Sequence, residues 1–310
     1  MAVEVRYKGR LGNCLFQYAL GRLIAERLNY ELIAEPLDEF ELTKETVTGI
    51  NYSDSEVVFV ANDIDTKGIY SGKYSGQRII LDGYFQVYDY FKDDLEKIRK
   101  WFDLSHVEPL FHATEDDLVI NWRQSDWLIP NRIWRTLPAN LVERVILKRQ
   151  WNKIYLVTES PDEEGPQRLR NKYKNLEIHH GAPLEDMRSV QSAHTLLISS
   201  STFSWWGALL SDAEKIYFPD LYNWSEFAVY FPGKDIPSEN LFPHDQNRFV
   251  KYPESKIERV VRNLTYVSFL DTYFKKLYYQ HFKLRLHKRI PPSVLHLRQK
   301  IIQAFGKLTG

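Results

Sequence analysis

The sequence predicts an α/β fold with largely parallel sheets. Short apolar strand candidates alternate with helical patterns along both halves of the chain, beginning with the strand Ala2–Tyr7. Strands and helices that alternate at these lengths form parallel sheets covered on both faces. The chain has 310 residues, 44% apolar and 26% charged, which is enough for two domains with separate cores.

The N-terminal domain, predicted over 1–108, starts with the alternating residues of Ala2–Tyr7 and continues into a long helix. Apolar residues recur at helical spacing from Leu15 to Leu28. The further elements predicted here are strands Glu31–Ala34, Val57–Ala61 and Arg78–Leu81 and an amphipathic helix from Tyr88 to Phe102.

The C-terminal domain, predicted over 109–270, continues the same alternation. Its strand candidates are Leu118–Trp122, Lys153–Thr158, Thr195–Ser199 and Lys215–Phe218. Its helix candidates are Ala139–Lys148, Pro166–Lys174, Asp186–His194 and Phe203–Ser211. Because ligands of such sheets bind beyond the carboxyl ends of the strands, we expect functional residues just after strands.

A basic segment is predicted over 271–310. No Asp or Glu follows Asp271, whereas Lys and Arg recur among apolar residues on both sides of Pro291 and Pro292. Two interpretations stay open: a surface helix that binds anionic lipid, or a terminal helix that packs on its own protein.

Overall charge and cysteine content narrow the class of protein. Forty-one basic and forty-one acidic residues cancel, so the net charge gives no indication of a nucleic acid partner. Cys14 is the only cysteine in this sequence, which agrees with a reducing compartment. No apolar stretch has the length of a signal peptide or a membrane span, so we expect a cytoplasmic protein that the basic segment could bring to the inner face of the membrane.

A hydroxyl-rich segment, SSSTFSWWGALL (Ser199–Leu210), follows the last but one strand candidate. Hydroxyls and backbone N–H groups at the start of a helix form a site for phosphate, aided by the helix dipole. The alternative is that these residues only cap the helix.

A second polar segment, Asn121–Asp126, follows the strand Leu118–Trp122. The Arg123 guanidinium presents a planar set of donors that matches a diphosphate and could offset charge on a leaving group. Asp126 could orient Arg123 or accept a proton. The alternative is an ordinary surface pair of Arg and Asp.

Together with Lys8–Gly21 (KGRLGNCLFQYALG) and Gly83–Phe91 (GYFQVYDYF), these segments carry a family resemblance. The chain resembles glycosyltransferase family 11, the α-1,2-fucosyltransferases. That family has a Gly-Gly-x-Gly-Asn-Gln-x-Phe-Gln-Tyr opening, a Gly-Tyr-x-Gln element, a His-x-Arg-Arg-x-Asp motif and a late Ser-Phe-Ser-Trp-Trp-Gly-Ala motif. The resemblance implies a GT-B-like fold, which has two Rossmann-like domains with largely parallel sheets. It also implies transfer of L-fucose from GDP-fucose to a glycan hydroxyl with inversion, without an obligatory metal.

The same resemblance implies roles for particular residues. Arg123 would contact the diphosphate, with Asp126 as its catalytic partner, and Asp186 would face guanine or ribose. The cleft loop would be shaped by Gly9, Gly12 and Asn13. The nucleotide-sugar-binding set is completed by Asn121, Gln124, Glu159, Ser200, Ser201, Thr202 and Ser204. The expected partners are a nucleotide sugar and a glycan acceptor. If the glycan acceptor were lipid-linked, the basic segment would bring the protein to it at the membrane.

Departures from the family pattern keep other hypotheses open. Asn121 stands where the family has His, Gln124 where it has a second Arg, and Cys14 where it usually has Gln. These changes allow a different sugar donor, or a catalytically silent homologue that binds nucleotide or glycan. Asp63 and Asp65 form the Asp-x-Asp pattern of metal-dependent transferases, which is a further alternative.

Overall fold

The computed structural model describes residues 1–37, 40, 55–61, 63–124, 137–220 and 241–253. Residues 1–263 form one compact unit, and both sheets of the protein belong to it. The basic segment 271–310 and Asp126 lie outside the described residues, so the predictions made for them stay predictions, as does the domain division. None of the described helices is long and apolar enough to cross a membrane.

The first sheet is four-stranded, and every described pairing in it is parallel. Its strands, which lie in the order β2-β1-β4-β3, are Ala2–Val5 (β1), Glu31–Ile33 (β2), Glu56–Ala61 (β3) and Arg78–Gly83 (β4). Its helices are Leu11–Leu28 (α1), Thr66–Tyr70 (α2) and Leu95–Trp101 (α3). Helix α1 ends at Asn29, whose φ of 54° is left-handed, as is usual where a helix stops.

The second sheet is six-stranded and parallel in all its described pairings. Its strands, in the order β10-β9-β8-β5-β6-β7, are Leu118–Asn121 (β5), Ile154–Val157 (β6), Leu176–His179 (β7), Thr195–Ile198 (β8), Lys215–Asp220 (β9) and Phe249–Pro253 (β10). Its helices are Ala139–Ile146 (α4), Glu164–Lys172 (α5), Pro183–Gln191 (α6) and Thr202–Leu209 (α7). The central strands β5, β6 and β8 are buried at every residue, as parallel strands covered on both faces must be.

These two parallel sheets with helices between their strands confirm the predicted α/β class. Each predicted strand is present within one or two residues at either end. The sequence patterns did not indicate the strands β7 and β10, because both are partly exposed and lack a continuous apolar run. Helix α2 was also missed, since five residues are too few to show a helical period.

The prediction of one helix from Tyr88 to Phe102 is wrong. Two short 3₁₀ turns, Tyr88–Tyr90 and Lys92–Asp94, precede α3. Asp94 has a φ of −123° and stands at the N-terminus of α3, so the α-helical hydrogen-bonding pattern begins only after it. The apolar spacing that suggested a longer helix is real, because Tyr88, Phe91, Ile98 and Phe102 are all buried.

One hydrophobic core joins the two sheets. Phe16 on α1 has its ring centroid 4.7 Å from that of Trp205 and 4.9 Å from that of Trp206, both on α7. Phe91 and Phe102 pack on Trp206 from the first half, with centroids 5.7 and 5.5 Å away. Both tryptophans are almost fully buried. The paired tryptophans therefore act as core residues between the halves of the protein.

Helices α1 and α7 touch near their N-termini. A Cβ on Gly12 would lie 2.4 Å from the backbone nitrogen of Phe203 and 2.8 Å from the carbonyl carbon of Thr202. Real Cβ atoms do not come so near to backbone, so only glycine allows this approach.

Gly12→Ala is therefore expected to separate the helices and to lower the free energy of unfolding by about 3 kcal/mol, the upper part of the overpacking range. Gly72→Ala is the control, because Gly72 has a φ of 82° but a Cβ added there would meet no atom within 4 Å, and strain alone costs about 1 kcal/mol. Urea unfolding of both variants checks the difference. Equal losses would contradict the close contact of α1 with α7.

Candidate functional site

Both sheets reverse their strand order next to a predicted motif segment. In the first sheet β1 lies between β2 and β4, and in the second sheet β5 lies between β6 and β8. Open parallel sheets bind ligands beyond the carboxyl ends of the strands at such a reversal. The four segments of the family resemblance directly follow β1, β4, β5 and β8. The topology thus places each of them where a ligand site is expected.

The loop between β1 and α1 is held by a buried glutamine. The Gln17 amide accepts a hydrogen bond from the Lys8 backbone nitrogen at 2.7 Å and donates one to the Lys8 carbonyl at 2.8 Å. Gly9 has a φ of 90°, a left-handed conformation that glycine adopts without strain. The sequence prediction did not include Gln17, although a polar residue inside the apolar stripe of α1 was a usable signal.

Asn13 connects three of the four segments. Its Oδ1 accepts one hydrogen bond from the Thr202 hydroxyl and one from the Gln86 amide, each at 2.9 Å. Gln86 follows β4, and Thr202 begins α7. The structure therefore brings the predicted residues Gly12, Asn13 and Thr202 together and adds Gln86 to them.

The start of α7 has the helix cap that the alternative interpretation of this segment predicts, and its role as a phosphate site stays a prediction. Ser201 caps the helix, since its Oγ accepts a hydrogen bond from the Phe203 nitrogen at 3.3 Å, and Ser200 before it is half-buried. Helix α1 begins in the same place, in contact with Thr202 and Phe203. A helix N-terminus carries partial positive charge. Two such ends therefore meet at one point, which favours an anion there.

The far end of α7 is fixed by an arginine that sequence reasoning missed. The Arg248 guanidinium donates to the carbonyls of Leu209 and Ser211, at 2.8 and 2.5 Å, and a cation is favourable at a helix C-terminus. Arg248 also donates to Gln246, whose amide in turn donates to the Tyr88 hydroxyl. The segment 241–248 thus ties α7 to the chain that follows β4.

Asn121 and Ser204 lie in a buried hydrogen-bonded network. The Ser204 hydroxyl donates to the Asn121 side-chain oxygen and lies 2.8 Å from the Ser199 hydroxyl. Ser199, Ser204 and Asn121 are 1%, 0% and 7% exposed. This network joins β5, β8 and α7, so it positions the site. The direct ligand contacts expected for Asn121 and Ser204 stay predictions.

Arg123 and Gln124 lie just beyond β5, beside Glu159. The Arg123 Nε is 4.0 Å from the Glu159 Oε1, and the same oxygen accepts a hydrogen bond from the Gln124 backbone nitrogen at 3.0 Å. The Arg123 side chain is 19% exposed, so ligand can reach it while Glu159 limits its orientation. Asp126, the orienting residue expected from sequence, lies outside the described part of the chain.

Asp186 lies in the first turn of α6 and is 8% exposed. Its Oδ1 accepts a hydrogen bond from the Gly181 nitrogen at 2.9 Å, and His180 Nδ1 lies 3.8 Å from Oδ2. Burial raises the pKa of Asp186 to about 6, and the charges of Glu159 and Glu185 add to this shift. Asp186 and Glu159 are therefore electrostatically coupled, and both were predicted site residues.

Asp65, the second acidic residue of the Asp-x-Asp alternative, immediately precedes α2 and caps it. Its side chain accepts a hydrogen bond from the Gly68 nitrogen at 2.8 Å. Its other oxygen accepts from Lys73 and Tyr74, and these bonds, with Lys73 first, lower the pKa of Asp65 to about 2. Both carboxylate oxygens of Asp65 are thus used within the protein. The described residues contain no cluster of His, Cys, Asp and Glu suited to a metal ion.

A cavity of about 720 Å³ lies at the opposite, amino-terminal edge of the second sheet. Thr195 and Lys215, the first residues of β8 and β9, line it, together with Lys148, Arg149 and Trp151. None of the predicted site residues borders it. We place the candidate site at the carboxyl edge because the motif segments converge there.

Comparison with known proteins gives structural likenesses only. No protein-family model and no curated protein matches the chain. It is similar to a mutant of Arabidopsis thaliana FUT1 in complex with GDP, at 13% identity and a TM-score of 0.43, over 69% of each chain. The fucosyltransferase NodZ from Bradyrhizobium is 12% identical with a TM-score of 0.41, over 69% of this chain and 93% of that one. POFUT1 in complex with GDP-fucose is 11% identical with a TM-score of 0.39, over 68% and 94%.

The raised pKa of Asp186 predicts a pH-dependent stability. Between about pH 4 and pH 6 the unfolded chain releases this proton while the folded protein keeps it, so the free energy of unfolding falls as the pH rises. Asp186→Asn should therefore be more stable than the wild type at pH 7, on the order of 2 kcal/mol, because one pKa unit corresponds to about 1.4 kcal/mol.

Denaturant unfolding at pH 4 and pH 7 measures this effect. The difference in the free energy of unfolding between Asp186→Asn and the wild type should shrink towards pH 4. Asp162→Asn, at an exposed position, should have the same free energy of unfolding as the wild type at both pH values. An advantage of Asp186→Asn that does not change with pH would contradict the burial of this carboxylate.

Proposed function

We propose that this protein is an inverting glycosyltransferase that uses a nucleoside-diphosphate sugar. The observation that carries the proposal is the meeting of the N-termini of α1 and α7 at the strand-order reversals of both sheets, with Arg123 just beyond the end of the neighbouring strand β5. Helix N-termini and a guanidinium are groups that bind and stabilise a diphosphate. Ser201 and Thr202 supply hydroxyls at the same place.

The proposed reaction needs positive charge where the diphosphate leaves. The acceptor hydroxyl attacks the anomeric carbon from the face opposite the diphosphate, and the glycosidic C–O bond to phosphate breaks. Arg123 and the N-terminus of α7 offset the charge that develops on the departing nucleoside diphosphate. Asp126 is the proposed acceptor of the hydroxyl proton, and Glu159 holds the Arg123 guanidinium. We expect transfer without an added divalent ion, because these groups supply the positive charge.

We propose GDP-L-fucose as the donor and a glycan hydroxyl as the acceptor. The four segments in the order of family 11 support this choice, and the donor should bind mainly to the second sheet, which bears Arg123 and α7. A lipid-linked glycan would suit the basic segment 271–310, which we propose to hold the protein at an anionic membrane surface. Nucleic acid is not among the proposed partners.

A different donor, or a silent homologue that only binds ligand, is the second candidate. It is favoured by Asn121 and Gln124, which leave this site with one arginine where the family motif has two. Calorimetry with GDP, UDP and dTDP, followed by donor hydrolysis assays, separates these possibilities. Binding of GDP without turnover on any donor would favour the silent homologue, and binding of UDP only in the presence of a metal would refute the GDP-fucose proposal.

Arg123→Ala tests the catalytic assignment. Loss of a positioned donor at the leaving group should lower kcat by about 10²-fold to 10³-fold, as for other preorganised electrostatic groups. Arg149→Ala is the matched control, because Arg149 lies at the opposite edge of the same sheet and stacks on Trp151. The readout is the initial rate of transfer from GDP-fucose, with circular dichroism to verify folding. Unchanged turnover in Arg123→Ala would remove Arg123 from the mechanism.

A further inference from the structure

Gln124 has a buried side chain whose amide makes no hydrogen bond among the described residues. The residue is 7% exposed, and its Oε1 has no hydrogen-bond partner among the described residues. Buried polar atoms nearly always have a partner, because leaving one unpaired costs stability. An unpaired acceptor at the carboxyl edge of a sheet, next to Arg123, therefore calls for a ligand that supplies the missing donor.

The start of α5 packs closely against Gln124. A Cβ on Gly165, in the first turn of α5, would lie 3.1 Å from the Gln124 Nε2 and 2.9 Å from the Trp122 ring. The absence of a side chain at Gly165 thus lets the start of α5 approach the amide. The N-cap residue Glu163 makes no side-chain capping bond among the described residues. The start of α5 therefore lies directly beside the Gln124 amide.

Charge decides what kind of group can bind beside the Gln124 amide. Glu159 accepts the hydrogen bond of the Gln124 backbone nitrogen, and Glu163 and Glu164 stand at the start of α5. The Glu159 carboxylate, which lies against the Gln124 backbone, disfavours a phosphate at this amide. An amide offers one acceptor and one donor, so its complement is a neutral group that carries a donor beside an acceptor.

We propose that Gln124 is a specificity-determining residue that binds a neutral polar group of the nucleoside part of the donor. The inference rests on the proposed function, because it assumes that the diphosphate lies at α7. Gln124 lies between the ends of β5 and β6, whereas α7 follows β8 on the other side of β5. A nucleotide that spans β5 therefore reaches Gln124 with its nucleoside, through either the amide edge of the base or the ribose hydroxyls.

Gln124→Met tests this proposal, because methionine has nearly the same length but makes no such hydrogen bonds. Removal of an unpaired buried amide should raise the melting temperature of the ligand-free protein. The same variant should bind GDP about tenfold more weakly, as expected when a ligand donor loses its partner. Its affinity for inorganic pyrophosphate should not change. A purely structural role of Gln124 would instead give a lower melting temperature.

Gln167→Met is the matched control, since Gln167 lies in α5 and its amide donates to the Pro161 carbonyl at 2.7 Å. It should lose stability and keep its GDP affinity. Gln124→Ala repeats the binding test with a smaller side chain. Isothermal titration with GDP, 2′-deoxy-GDP and UDP locates the contact. If the loss of affinity in Gln124→Met disappears with 2′-deoxy-GDP, the contact is with the ribose. If the loss of affinity differs between GDP and UDP, the contact is with the base.

Two outcomes would overturn the inference, and they are distinguishable. Equal GDP affinity in Gln124→Met and the wild type refutes the role of Gln124 while leaving the proposed function in place. A wild type that binds neither GDP, UDP nor pyrophosphate refutes the proposed function and this inference with it.

Discussion

The close contact between α1 and α7 is the constraint on which the arrangement of this protein depends. Gly12 lies against the backbone of Thr202 and Phe203, where a side chain would not fit. This contact fixes the first sheet relative to the second, and Phe16 and Trp206 can then share one core. It also places Asn13 within hydrogen-bond distance of Thr202. The contact between α1 and α7 therefore determines both the packing of the shared core and the geometry of the candidate site.

Bringing two helix N-termini together has an electrostatic cost, because both ends carry partial positive charge. Ser201 offsets part of it, because its Oγ accepts a hydrogen bond from the Phe203 backbone nitrogen at the start of α7. Arg248 stabilises the opposite end of α7. Further unfavourable features lie at the same edge of the second sheet, namely the buried carboxylate of Asp186 and the unpaired amide of Gln124. Features that lower stability and gather at one edge of a sheet are typical of a ligand site.

The sequence was sufficient for the architecture, because the alternation of strands and helices predicts the parallel sheets. The motif segments follow β1, β4, β5 and β8, as expected, and their function stays a prediction. It was not sufficient for edge strand β10 or for the turns before α3, because partly exposed or irregular backbone has no clear period. Contacts between residues distant in sequence could not be predicted either. Asn13 and Thr202 are 189 positions apart, and no local pattern indicates that they meet.

The measurement that tests the central claim most directly is a crystal structure with GDP bound. The account predicts that the diphosphate lies at the N-terminus of α7, within hydrogen-bond distance of Thr202 and of the Arg123 guanidinium. A diphosphate bound instead in the cavity at the opposite edge of the sheet, beside Lys148 and Lys215, would contradict it.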